Sequence, residues 1–130
     1  TDDLAQAIDR DAASFDVVMT AFKLPQSSPE EMRRRDEAIQ SATKGAAGVP
    51  LEVAERTVAL FERLGQLEPI TPASMSSDLK VGRLLAAAAA EGALANVEVN
   101  LDTITDTAYV AGMRQKTAAL RERLRAARSA

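Results

Sequence analysis

The sequence has no cysteine and no histidine. Without cysteine there are no disulfides and no thiol chemistry. Without histidine the usual zinc sites, Ser-His-Asp triads and any imidazole base are excluded. Any catalysis must therefore use carboxylates, lysines, amides and the backbone. Aromatic residues make up only 3% of the chain, too few for base-stacking platforms. A net charge of -3 argues against bulk nucleic-acid binding. There is no phosphate loop, dinucleotide fingerprint or calcium loop, and the carboxylates are scattered. No cofactor and no metal are expected. No stretch approaches the roughly 18 consecutive apolar residues of a membrane span, and no charged-then-apolar start resembles a signal peptide. The expectation is no membrane partner and, by default, a cytoplasmic location.

What the chain has instead is alanine, 26 in 130 residues. Alanine lets helices approach closely but buries little area per residue, so a partner subunit would add much to stability. The fold class expected is all-α: an up-and-down bundle of long alanine-rich helices, dimeric, in a single domain over residues 1–130.

The first helix is expected from about Asp2 to Phe22 and must stop near Leu24, since Pro25 disfavours helix at the residue before it. "SPEE" starts the second: Ser28 caps, Pro29 suits the first position and Glu31 completes a capping box. A break or kink is expected at Pro50, which lacks a backbone donor and crowds the preceding turn. A third helical piece should then run to about Gly65. "QLEPITPASM" reads as a loop. Ser76 or Ser77 should cap a long helix with Asp78 in its first turn. On it Gly82, Ala86, Ala89, Ala93, Asn96 and Asn100 share a stripe of small and amide residues. "NVEVNL" also alternates like a strand, but its place after the alanine run favours helix. The last helix starts near Thr105 or Asp106. Its arginines, Arg121 to Arg128, suit a helix C-terminus.

One residue breaks the pattern of the first helix. Leu4, Ile8, Asp11, Phe15, Val18 and Phe22 fall on one stripe, five apolar and one carboxylate. A carboxylate removed from water holds its proton more tightly, and such a group can serve as a general acid or base near neutral pH. The alternatives are an exposed stripe edge, or an ion pair with Arg10 or another arginine. Arg35 intrudes likewise into the stripe of the second helix; it could pair with Asp11, bind an anionic tail or form a structural ion pair. Lys23 could balance the first helix's dipole or meet a substrate carboxylate. Asn96 and Asn100 suggest a polar patch facing a ligand or another helix, or a buried amide network. Asp78, next to Ser77, reads most simply as part of a cap.

Three stretches, "DRDAASFDVVMTAFKLP", "RRRDEAIQSATKGAAGVPLEVAE" and "SSDLKVGRLLAAAAAEGALANVEVNLDTITD", resemble the cyclodeaminase/cyclohydrolase family. It includes the C-terminal domain of formiminotransferase-cyclodeaminase and the bacterial methenyltetrahydrofolate cyclohydrolases. The resemblance runs from about Asp9 to Asp106 and implies a dimeric all-helical enzyme of one-carbon metabolism. Its substrate would be a tetrahydrofolate derivative, held in a groove near the subunit interface. Cyclodeaminases form 5,10-methenyltetrahydrofolate with loss of ammonia; cyclohydrolases open that ring with water. In the family motif Asp-x-Asp-x-x-x-Phe, here "DRDAASF", the catalytic role falls on Asp11. Lys23, Arg35, Ser77, Asp78, Asn96 and Asn100 match motifs that imply substrate binding. Family members begin with a further helical region containing Pro-Gly-Gly-Gly-Ser. It has no counterpart here, so the chain is expected to be the C-terminal part of a longer cyclodeaminase-like domain. The Gly-Asn that usually precedes the "SD" motif is replaced by "EPITPASMSSD". The rival expectation is a non-catalytic helical dimerisation or assembly protein derived from the same fold.

Overall fold

Ser28 opens the longest element of the chain. In a computed structural model describing residues 2–129, its hydroxyl accepts from the Glu31 N–H at 3.2 Å. The Glu31 carboxylate accepts in turn from the Ser27 N–H at 2.8 Å. The capping box thus closes one residue earlier than its usual form. Four helices follow in order: α1 (Asp2–Phe22), α2 (Pro29–Leu67), α3 (Ser76–Leu101) and α4 (Thr107–Ser129). No strand occurs among the described residues, so the all-α expectation holds, and "NVEVNL" is the end of α3.

Two local expectations are corrected. α2 runs unbroken for 39 residues with Pro50 inside it. The lost hydrogen bond and ring crowding cost about 3 kcal/mol. Pro50 is buried, and long packed segments on both sides keep the helix continuous. Neither Ser76 nor Ser77 caps α3. The residue before the helix is Met75, with no side-chain cap, and the Ser76 hydroxyl donates backwards to the Ala73 carbonyl at 2.9 Å. The loop between α2 and α3 contains two 3-10 turns, Glu68–Ile70 and Ala73–Met75.

Cross-helix pairs fix the directions. Arg10–Glu52 and Asp3–Arg56 set α1 antiparallel to α2. Gln40–Thr103 and Gly65–Arg83 do the same for α2 and α3. Arg121–Glu98 and Arg128–Glu91 do so for α3 and α4. The order is therefore up and down. α2 is the spine: it meets the three other helices, while α4 also packs on α3. The core lies between α2, α3 and α4, where Val58, Leu94, Val97, Leu101 and Leu124 are fully buried. The arginines of α4 do more than complement its C-terminus. Arg123 grips Glu62 of α2 with two hydrogen bonds, 3.0 and 2.7 Å, and Arg121 holds Glu98 of α3 at 3.0 Å.

The stretch Ala73–Leu101 is long and apolar enough to cross a membrane by length and composition. Its alanines make it apolar, and its buried face is the centre of the bundle.

α1 stands apart. It packs on α2 through Ala7 and Ala21, with half-buried Ser14 between them at seven-residue spacing. It forms no comparable seam with α3 or α4. Its larger apolar stripe faces outward, with Ile8 73% and Phe15 62% exposed. Asp11 lies on that stripe and is exposed in the single chain, which corrects the expectation that the stripe is core. Small residues win the helix contact because they let the backbones come close.

Candidate functional site

α1 and α3 both lie on α2 without closing against each other, and the space between them is a groove. One stretch, about 480 Å³, has Leu4 and Ile8 on one wall, Val49, Pro50 and Val53 on the floor, and Ala89 and Gly92 on the other wall. The next, about 370 Å³, passes Phe15 and Phe22, Ile39 and Thr43, and Asn100 and Thr103. Asp11 and Asn96 line both stretches, so carboxylate and amide mark the middle of the groove from opposite walls. The α3 wall is set back by its small residues: a Cβ built on Gly92 meets nothing within 4 Å.

The polar groups are held from behind. Asn100 donates to both the main-chain and the side-chain oxygen of Asn96, at 3.0 and 3.1 Å. Gln40 of α2 ties down the turn after α3. Its amide donates to the Thr103 carbonyl at 2.9 Å and its oxygen accepts from the Thr105 N–H at 2.8 Å. Beyond it Asp106 accepts from Lys44 at 2.7 Å and from the Tyr109 N–H at 3.0 Å, capping α4. The Lys44 hydrogen bond, then the Tyr109 N–H, hold the Asp106 carboxyl below its usual range. Burial pushes the Tyr109 phenol up, while its hydroxyl donates to the Lys44 carbonyl at 3.0 Å.

The structure thus gathers Asp11, Asn96 and Asn100. Arg35 stands near one end of the groove, but its guanidinium is engaged. Nε and Nη2 both donate to the Phe22 carbonyl, at 3.3 and 3.2 Å, and the group lies over the Phe22 ring. Arg35 so caps a helix whose last turn has no basic residue of its own. Lys23 is exposed just past that end. Ser77 and Asp78 are at the opposite end of α3, about 28 Å from Asn96 at 1.5 Å per residue. Ser77 lines a different and larger concavity, about 810 Å³, with Lys80, Arg83 and Arg128. Arg83 there is tied to Glu68, to the Ala127 carbonyl and to the face of Phe61, which secures the end of α4.

Sequence reasoning missed Ser14, Gln40, Thr43 and Thr103. The seven-residue spacing of Ala7, Ser14 and Ala21 was the available signal for the first. A lone glutamine or threonine carries none.

A family profile described as formiminotransferase-cyclodeaminase matches residues 1–119. The formimidoyltransferase-cyclodeaminase of Sus scrofa is 35% identical over 117 residues, covering 90% of this chain and 22% of that protein. The same enzyme of Gallus gallus is 39% identical over 108 residues, covering 83% and 20%. A methenyltetrahydrofolate cyclohydrolase of Methylorubrum extorquens is 32% identical over 124 residues, covering 88% and 58%. The chain spans about a fifth of the length of the first two relatives. With four helices, no strand among the described residues and a match over nearly its whole length, the chain belongs to the formiminotransferase-cyclodeaminase family.

Proposed function

We propose that the chain acts on a tetrahydrofolate derivative as a methenyltetrahydrofolate cyclohydrolase or formiminotetrahydrofolate cyclodeaminase, with Asp11 as the acid-base group. The observation that carries this is the place of Asp11, which shares one groove with Asn96 and is open to water. Both reactions pass through a tetrahedral carbon between two nitrogens. In the hydrolytic direction a base takes a proton from the attacking water, and its conjugate acid returns one to the departing ring nitrogen. In deamination the folate N10 attacks the formimino carbon and gives up its proton to the base, and the conjugate acid returns a proton to the amino group as its bond to carbon breaks and ammonia leaves. A single carboxylate beside the reacting carbon serves either, and neither step calls on a metal or an imidazole.

The groove is mostly apolar with a few polar groups, as ligand sites generally are. The exposed Phe15 ring offers a flat surface to a pterin. A second copy of the chain lies against α1 in this reading, because Ile8, Phe15 and Phe22 are exposed apolar residues that also line the groove, and the ligand then sits beside the subunit interface. Lys23, exposed just past the end of α1, would meet an anionic tail in this reading. The non-catalytic alternative predicts no folate binding at all.

The test is the absorbance of 5,10-methenyltetrahydrofolate in the presence of the full-length protein and its Asp11→Asn variant. The variant should lose about a hundredfold or more in turnover without loss of fold, since no side-chain bond to Asp11 supports the structure among the described residues. Unchanged turnover in the variant would remove Asp11 from the chemistry.

A further inference from the structure

The hydrogen bonds between Asn96 and Asn100 have a direction, and the direction can be read. The Asn100 Nδ2 lies 3.0 Å from the main-chain oxygen of Asn96. A main-chain carbonyl only accepts, so this contact fixes which end of the Asn100 amide carries the hydrogens. The same nitrogen lies 3.1 Å from Oδ1 of Asn96. That places the oxygen end of the Asn96 amide towards Asn100 and leaves its NH2 end pointing away from it. Asn96 is exposed and lines both stretches of the groove opposite Asp11.

We infer that Asn100 is a positioning residue that turns Asn96 into a hydrogen-bond donor to the groove. The ligand atom that meets Asn96 is then an acceptor, a carbonyl oxygen or an unprotonated ring nitrogen. Free asparagine could present either end, since its two ends are nearly the same shape. Here one choice is removed before the ligand arrives, and less ordering is left for binding to impose. The two walls then differ in kind: Asp11 brings carboxylate oxygens, Asn96 brings N–H. A ligand edge with an acceptor on one side and a donor on the other fits in one orientation only. Choosing folate as probe rests on the function proposed above; the geometry does not.

Two measurements on the full-length protein test it. Titration calorimetry with 5-formyltetrahydrofolate compares wild type, Asn96→Ala, Asn100→Ala and the double variant. Asn96→Ala should weaken binding about tenfold, the worth of one hydrogen bond of ordinary strength, and Asn100→Ala only about two- to fivefold, since the bond still forms but the amide must be ordered on binding. The double variant should be no weaker than Asn96→Ala, because Asn100 acts through Asn96. Asn96→Asp keeps an acceptor for Asn100 but removes the donor, and should bind as poorly as Asn96→Ala. Additive losses, with the double variant weaker than Asn96→Ala by the full factor seen in Asn100→Ala, would mean that Asn100 meets the ligand itself and would overturn the inference. The second measurement needs no ligand: nitrogen relaxation of the Asn96 side-chain amide should show an ordered group that loosens in Asn100→Ala. Equal order in both proteins overturns the positioning role. If wild type binds no folate, the folate reading fails, and the relaxation result decides the role of Asn100 alone.

Discussion

Arg35 reaches from α2 to the last turn of α1 and donates two hydrogen bonds to the Phe22 carbonyl, at 3.3 and 3.2 Å, with its guanidinium over the Phe22 ring. α1 supplies no basic residue to its own last turn, so this contact meets a terminal carbonyl that the helix cannot satisfy. Arg35→Ala should lower stability by about 1 kcal/mol and speed hydrogen exchange at residues 15–22. Arg35→Lys should recover only part, because an ammonium cannot present two coplanar N–H groups. Exchange unchanged across α1 in Arg35→Ala would show that the contact holds nothing.

The ion pairs that fasten α4 contribute to acid stability. Arg123 holds the Glu62 carboxyl below its usual range, chiefly by its hydrogen bond, and Lys44 with the Tyr109 N–H does the same for Asp106. Both carboxyls bind their proton less tightly in the folded chain than in the unfolded one. Their contribution is therefore complete above the unfolded values, about pH 4 to 4.5. It is lost as pH falls through the lower folded values, where the unfolded chain takes up more protons. Urea unfolding at about pH 6 and about pH 3 should show this loss. Asp106→Asn and Glu62→Gln should flatten it. The asparagine can still accept from the Tyr109 N–H, so the cap survives while the charge is removed. An equal acid loss in both variants would place the sensitivity elsewhere.

Much of the fold was legible where a residue type has a local consequence. Pro25 marked the end of α1 to within a turn and "SPEE" the start of α2, because proline geometry and capping act within one turn. Pro50 misled for the opposite reason: its local penalty is real, but packing along 39 residues outweighs it. Asp11 was found by the right pattern with the wrong meaning. α1 carries two stripes, one of large apolar residues and one of Ala7, Ser14 and Ala21, and hydrophobicity favours the first. The facing part of α2 presents Ala38, Ala42 and Gly45, and closeness favours the second. The large stripe was left for the groove and the outside, which a reading of one helix at a time cannot see.

That outward stripe makes a prediction about assembly. If a second copy covers α1, Phe15→Asp or Ile8→Asp should convert a dimer to a monomer in sedimentation. Circular dichroism should stay nearly unchanged, because neither residue belongs to the core of its own chain. A wild-type protein that already sediments as a monomer would show the face is open, and would leave the groove to bind its ligand without help from a partner.

Gly92 separates the shape of the groove from the strength of the fold. It lies within α3, has no positive φ, and a Cβ built on it meets nothing within 4 Å. Gly92→Ala should therefore raise stability by about 0.5–1 kcal/mol, the ordinary gain in a helix interior, and leave folate binding intact. Gly92→Leu should keep the fold, but its longer side chain enters the space between α1 and α3. Binding of 5-formyltetrahydrofolate should then fall at least about tenfold. Thermal unfolding and calorimetry on the same two variants give both readings. Undiminished binding by a stably folded Gly92→Leu would mean that the ligand does not occupy the stretch of groove that Gly92 lines with Leu4 and Ile8.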